Sequence, residues 1–352
     1  MTQGTAGTEW DVVVVGGGII GCAIARELAR RRAKVILFEA RAVGAGATQA
    51  SAGVLAPYIE APSDGPLHSL TVQSLSLYDE FVSSARRESN VAIEYRRCGT
   101  LEVAHDVKAA EQLNALGEWV RSKGVEARWI DSSEVGRMEP ALAPTCGGLV
   151  VPSHGYVHAA QLTNALAVAA RGQGAEVCAG RHVDGMTADG DWAMVNAGGE
   201  VYRARTVVIA AGSWSSEIAP ETSVAPVRGQ LVRVRWEGAP IQRILWSEGC
   251  YIVPWLDGTL LVGATVEQVG FDERVTAGGV RTLLDAASAV LPAIANATFL
   301  EARVGLRPFT ATGLPVVRRS AEHRAVVYAT GHYRNGILLA PLTASLVADM
   351  IR

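Results

Sequence analysis

The sequence has 352 residues, 49% of them hydrophobic and 19% charged, with a formal net charge of −3. That length can bury one large core or two moderate ones. No basic stretch interleaved with aromatics appears, which argues against a nucleic-acid partner. The apolar run 12–24 is broken by glycines and is too short to span a bilayer, which argues against a membrane partner. Residues 1–9 are polar, without a basic segment leading into an apolar one, and read as a frayed tail rather than a signal peptide. Cys22, Cys98, Cys146, Cys178 and Cys250 are scattered without C-x-x-C spacing. They predict a reduced, cytoplasmic protein with neither a disulfide framework nor a metal site. The chain is compatible with a homo-oligomer and specifies no oligomeric state.

The first element carries the most information. Asp11-Val-Val-Val-Val-Gly16-Gly-Gly18-Ile19-Ile20-Gly21 reads as a buried strand turning through glycines into a helix, the dinucleotide-binding fingerprint. Gly16 allows the tight turn, Gly18 lets backbone approach a pyrophosphate, and Gly21 lets the helix lie against the sheet. The helix N-terminus then offers unpaired N–H groups to the anion. Gly21, Ala25 and Ala29 give the helix a small face beside the ridge Ile20, Ile24 and Leu28, and Arg30, Arg31 and Arg32 oppose the negative end of its dipole. Glu39 closes the next apolar strand (35–38) just before Ala40. A carboxylate there can bind ribose hydroxyls and disfavours a 2′-phosphate.

The stretch 44–57 is built of small residues, among them Ala47, Thr48, Ala52, Gly53 and Val54, and suits a backbone lying flat against a bulky ligand. Amphipathic spacing predicts helices over 67–89 and 107–123, with strands at 99–104 and 127–130. A helix over 159–172 leads to a strand at 176–178 and then to a buried strand at 204–210 that ends near Gly212. From Pro226 the pattern alternates, and 229–236 reads as a half-exposed antiparallel strand. Residues 251–263 read as a hairpin turning at Asp257-Gly258, so 226–304 belongs to a separate mixed sheet. Residues 325–331 form a third buried strand ending in glycine. The final helix, over about 337–352, begins just after Gly336 and aims its positive end at whatever lies in front of it.

The chain resembles the D-amino-acid oxidase superfamily of flavoproteins over nearly its whole length, and most closely the glycine oxidases of bacterial thiamine biosynthesis. Besides the fingerprint, the motifs are Ala47-Thr48 with Ser51-Ala52-Gly53-Val54-Leu55, Val207-Val-Ile-Ala-Ala-Gly212-Ser-Trp214, Pro226-Val-Arg-Gly-Gln230, Gly305-Leu-Arg307-Pro308 and Gly331-His332-Tyr333-Arg334-Asn335-Gly336-Ile337-Leu338. The resemblance implies extended, non-covalent FAD. Its adenine would lie near Glu39 and Val183, and its ring between 47–54 and 332–338. No cysteine stands in 305–315, where some related enzymes attach flavin covalently.

Arg307 lies between Leu306 and Pro308 in a context that fixes its backbone, and the resemblance implies that it pairs with the substrate carboxylate. Tyr251 matches a tyrosine that shares that carboxylate, with a core aromatic as the other reading. Arg334 either lines the pocket or braces the loop. No Ser/His/Asp set, paired carboxylates or metal cluster emerges, so the flavin carries the chemistry. The implied reaction is hydride transfer from the substrate α-carbon to flavin N5. Hydrolysis of the imine then gives glyoxylate or another oxo acid with ammonia, and reoxidation by O2 yields hydrogen peroxide. Gly249 and Val266 replace the histidine and methionine of the glycine oxidases. Both are smaller, which keeps sarcosine, D-amino acids and proline open as substrates. A dehydrogenase using a quinone or protein acceptor and a flavin subunit of a hetero-oligomer are the alternatives. The predicted fold is α/β, a Rossmann-like FAD-binding domain (1–88, 145–222 and 305–352) with an interleaved α+β substrate domain on a mixed antiparallel sheet (89–144 and 223–304).

Overall fold

A computed structural model gives the fold of residues 9–351. The tail reading for the N-terminus falls on 1–8, outside the described residues, and Glu9 already opens the first strand. Five parallel strands form the centre of the first sheet, in the order Glu176–Ala179, Val35–Glu39, Glu9–Val15, Glu200–Ile209 and Val326–Thr330. Apolar residues run continuously through 12–15, 35–38, 207–209 and 326–329 because both faces are covered there, whereas Glu176–Ala179 at the edge is only partly buried. Val12, Val14, Leu37, Val208 and Val327 face a helical layer containing Ile19–Arg30, Ala159–Gly172 and Gly336–Met350. Val13, Val15, Ile36, Phe38 and Tyr328 face the opposite core, over which the antiparallel strands Val183–Asp189 and Trp192–Ala197 pack. A Cβ at position 21 would stand 1.9 Å from the Gly16 carbonyl oxygen, so only glycine lets the first helix approach this closely.

The second sheet runs Thr298–Phe309, Ala225–Arg235, Thr259–Gly263, Cys250–Pro254, Ile244–Ser247, Thr100–Ala104, Gly147–Val151 and Arg128–Ile130. Every pairing is antiparallel except that of Ile244–Ser247 with Thr100–Ala104. Helix Ala277–Val290 packs on one face through Leu283, Ala287 and Val290.

The structure corrects three expectations. The strand Ala225–Arg235 is not half-exposed, since 227–232 are all buried between two neighbouring strands and the covering helix. The helical stretch 67–89 divides into Pro66–Ser76 and Tyr78–Ser89, and the Ser74 and Tyr78 hydroxyls flanking the division donate to the carbonyls of Leu338 and Ile337. Strand Gly147–Val151 belongs to the second sheet although 145–222 is assigned by sequence to the first unit, and Thr298–Phe309 stays paired in the second sheet beyond residue 305. Among the described residues, no helix is long and apolar enough to cross a membrane.

Candidate active site

The C-terminal ends of the parallel strands converge on one edge, and a cleft of about 890 Å³ opens between that edge and the second sheet. This is near the upper end of ordinary ligand pockets, roughly 300–1,000 Å³. Gly16, at φ +108°, makes the turn from strand to helix, where a Cβ would sit 2.4 Å from the Ala210 carbonyl oxygen. Gly18 caps the helix without a side-chain bond. A Cβ there would meet only Thr48 Oγ1, at 3.5 Å, so the space beside it belongs to the cleft. The Ile19 N–H donates to Thr48 Oγ1 at 3.2 Å. Other first-turn N–H groups, which a helix cannot satisfy internally, suit an anion. The Glu39 carboxylate accepts the Gly17 and Arg41 N–H groups at 2.7 and 2.8 Å, fixed at the cleft edge.

Of the residues expected to hold the cofactor, Gly16, Gly18, Ile19, Ile20, Glu39 and Ala40 line one end of the cleft, with Val183 beside Arg181 and His182. Further along lie Ala47, Thr48, Ala52, Gly53, Val54 and Gly212, and then His332, Tyr333, Arg334, Gly336 and Ile337. Gly21, Asn335 and Leu338 do not line it. Gly21 packs on Gly16, Leu338 is buried in the helical core, and Asn335 caps the final helix. That cap makes no side-chain bond to the helix, so a second helix N-terminus also faces the cleft through Gly336 and Ile337. His332 is buried, its Nε2 lies 3.0 Å from Thr343 Oγ1, and burial pushes its pKa down to about 3, leaving the ring neutral. A glycine cradle, an uncapped helix, a carboxylate at the strand end and a second helix terminus together fit an extended flavin dinucleotide.

The far end of the cleft gathers Tyr251, Arg307, Arg334 and Glu60. One terminal nitrogen of Arg307 donates to the carbonyls of Thr265 (2.9 Å) and Arg228 (3.3 Å). The rest of the planar fork remains for another acceptor. Burial pushes the Tyr251 phenol up to about 12, and its ring lies 5.2 Å from that of Trp246. Tyr251 is therefore a neutral hydrogen-bond donor at working pH. Arg334 pairs with Glu60 at 3.1 Å. Burial raises the Glu60 carboxyl, opposed by the charges of Arg334 and Arg307. Gly249 and Val266 also line this end, and Val266 is 58% exposed. Sequence reasoning missed Glu60 and Trp246. The available signal for Glu60 was its standing as the one charged residue between Arg41 and Asp64; Trp246 has none.

A family model described as FAD dependent oxidoreductase matches residues 11–350. Glycine oxidase of Geobacillus kaustophilus is 37% identical over 350 residues, covering 97% of this chain and 93% of that protein. Glycine oxidase of Bacillus subtilis is 31% identical over 349 residues, with coverage of 97% and 93%. The crystal structure of the Geobacillus kaustophilus enzyme superposes with a TM-score of 0.94 over 97% of this chain and 94% of that one.

Proposed function

The chain belongs to the FAD dependent oxidoreductase family, and from that premise we propose that it is an oxidase of glycine and other small amines or amino acids. The observation that carries this reading is the meeting of Arg307 and Tyr251 on the wall of the cleft that begins at the glycine fingerprint. Gly16, Gly18, Glu39 and Thr48 would hold the nucleotide half of the cofactor, and 47–54 with 332–337 the ring half. FAD held there would supply the acceptor for the α-carbon hydride, with O2 as the final oxidant and hydrogen peroxide as its product.

The protein's own share is binding and alignment. Arg307 offers its free edge to the substrate carboxylate as a charge-assisted, two-point pair. Tyr251 donates its hydroxyl to the same group. Holding the carboxylate at two points orients the α-carbon, and proximity of this kind supplies several kcal/mol toward the barrier. Burial suppresses the basicity of His332 and its Nε2 meets Thr343, so this ring is a poor acceptor for the amine proton. The small residues Gly249 and Val266 leave room for sarcosine, D-alanine or proline, since one or two methylenes decide only about 1–3 kcal/mol. The proposal includes a cytoplasmic location, O2 as acceptor, and a cofactor unit interleaved with a substrate unit, the boundaries at 145 and 305 moved so that Gly147–Val151 and Thr298–Phe309 stay with the second sheet.

A peroxide assay on glycine, sarcosine, D-alanine, L-proline and the carboxylate-free benzylamine tests the reading. Amino acids should be turned over and benzylamine should not. Arg307→Lys keeps the charge but loses the fork. At roughly 2–5 kcal/mol for the lost pair, kcat/KM should fall by about 30-fold to several thousandfold. Equal oxidation of benzylamine and glycine would overturn the carboxylate anchor.

A further inference from the structure

No residue of the motif Pro226-Val-Arg-Gly-Gln230 lines the cleft, yet the motif converges on Arg307. We infer that this motif positions the carboxylate anchor. Gly229 is the floor on which the Arg307 guanidinium lies, and Arg228 and Gln230 fasten the 264–276 segment whose Thr265 carbonyl holds it. The inference rests on the reading of Arg307 given above.

The floor is steric. In the paired strands Val227 stands opposite Arg307 and Gly229 opposite Gly305, and the Arg307 side chain folds back across its neighbour. A Cβ at position 229 would lie 2.2 Å from Arg307 Nη2 and 2.3 Å from both Cζ and Nη1. The three nearest atoms all belong to the guanidinium, the mobile end of a flexible side chain. Alanine at 229 therefore displaces Arg307 rather than the strand.

The fastening is polar and buried. Main-chain bonds join Arg228 to Glu267 in both directions, at 2.8 and 2.9 Å, and Thr265 N–H donates to the Gln230 carbonyl at 3.2 Å. The Arg228 guanidinium, 4% exposed, pairs with Glu267 at 2.5 Å and Asp272 at 2.8 Å. Gln230 is fully buried, donates to Glu267 Oε1 at 2.8 Å and accepts the Thr276 N–H at 2.8 Å. Thr265 Oγ1 donates to the same Glu267 oxygen at 2.6 Å. Glu267 thus joins both motif side chains to the residue whose carbonyl orients Arg307.

The test uses FAD-loaded enzyme, with acetate as a carboxylate probe read by the change in flavin absorbance, and glycine KM and kcat alongside. Gly229→Ala should retain FAD and its melting temperature while weakening acetate by about tenfold to a hundredfold and raising glycine KM in parallel. In an Arg307→Lys background, which has no planar fork above position 229, the same alanine should change acetate affinity by less than about twofold. Equal losses in both backgrounds, or none in the wild-type background, would overturn the inference. If Arg307→Lys weakens acetate and Gly229→Ala does not, the anchor stands and the floor falls. If Arg307→Lys leaves acetate unchanged, the anchor itself falls and the inference with it. Glu267→Gln approaches from the other side and supplies a second arm should Gly229→Ala fail to fold. It should weaken acetate several-fold with FAD retained, and unchanged affinity would overturn the fastening role.

Discussion

Glu102 lies in strand Thr100–Ala104, level with the cleft residue Trp246 on one neighbouring strand and Leu149 on the other. Its Oε2 is buried without a hydrogen-bond partner, and burial pushes the carboxyl from 4.5 up to about 7. Below about 4.5 the folded and unfolded chains both carry the proton. Between 4.5 and about 7 only the folded chain keeps it, so the stability of the fold falls as pH rises through that window and is flat with respect to this group on either side. The span from 4.5 to about 7, at roughly 1.4 kcal/mol for each pH unit, amounts to on the order of 3 kcal/mol as an upper bound. Glu102→Gln keeps the shape and removes the titration. Thermal melts of the FAD-loaded proteins should coincide at pH 4.5 and separate by pH 8, the variant melting higher by roughly 2–6 °C. The same offset at both pH values would show that Glu102 is solvated or paired, and would refute the reasoning.

Gly18→Val should give a folded but colourless protein, because the new side chain enters the cleft beside Thr48, whereas Gly21→Val should not fold because its Cβ would stand 1.9 Å from the Gly16 carbonyl oxygen; absorbance and circular dichroism separate the two. Tyr251→Phe removes one donor to a charged group, about 1.5–3 kcal/mol, and should raise glycine KM roughly tenfold to a hundredfold with FAD content unchanged. Val266→Met refills the wall and should lower kcat/KM for D-alanine and sarcosine relative to glycine by roughly tenfold or more, read in competition for peroxide formation.

The first sheet was legible because its determinants are local. Runs of Val and Ile ending in Gly16, Ala210 and Gly331 mark strands buried on both faces, and the helix after Gly18 repeats small residues every fourth position. The second sheet was only partly legible. Arg233 and Arg235 alternate with valines and suggest an exposed face. The strand is nonetheless buried, because Thr298–Phe309 and Thr259–Gly263 pair along its edges and helix Ala277–Val290 covers it. Those partners are distant in sequence and leave no periodic mark on 225–235. The same asymmetry governs the site. Arg307 sits in a short motif with its own backbone signature, whereas Glu60 reaches the cleft only because the four-residue helix Pro57–Glu60 returns toward Arg334.

The strand Thr298–Phe309 explains how a site divided between two sheets keeps one geometry. It pairs along its whole length with Ala225–Arg235, and so belongs to the second sheet. Its C-terminal third also carries bonds to the opposite wall of the cleft. The Ser213 hydroxyl donates to the Leu306 carbonyl at 2.9 Å and the Tyr333 N–H to the Pro308 carbonyl at 2.9 Å. At Gly305 an added Cβ would approach the Ala50 Cβ to 2.9 Å, so the segment around Ala47–Ala50 rests directly on this strand. Arg307 lies between these three contacts. A carboxylate bound to it would therefore be referenced to 47–50, to 213 and to 333 through one to two residues of the same strand, not through the long path around either sheet. Misplacement of about 1 Å can cost about a hundredfold in rate. Carrying the proposed anchor on the strand that both walls of the cleft grip meets that tolerance.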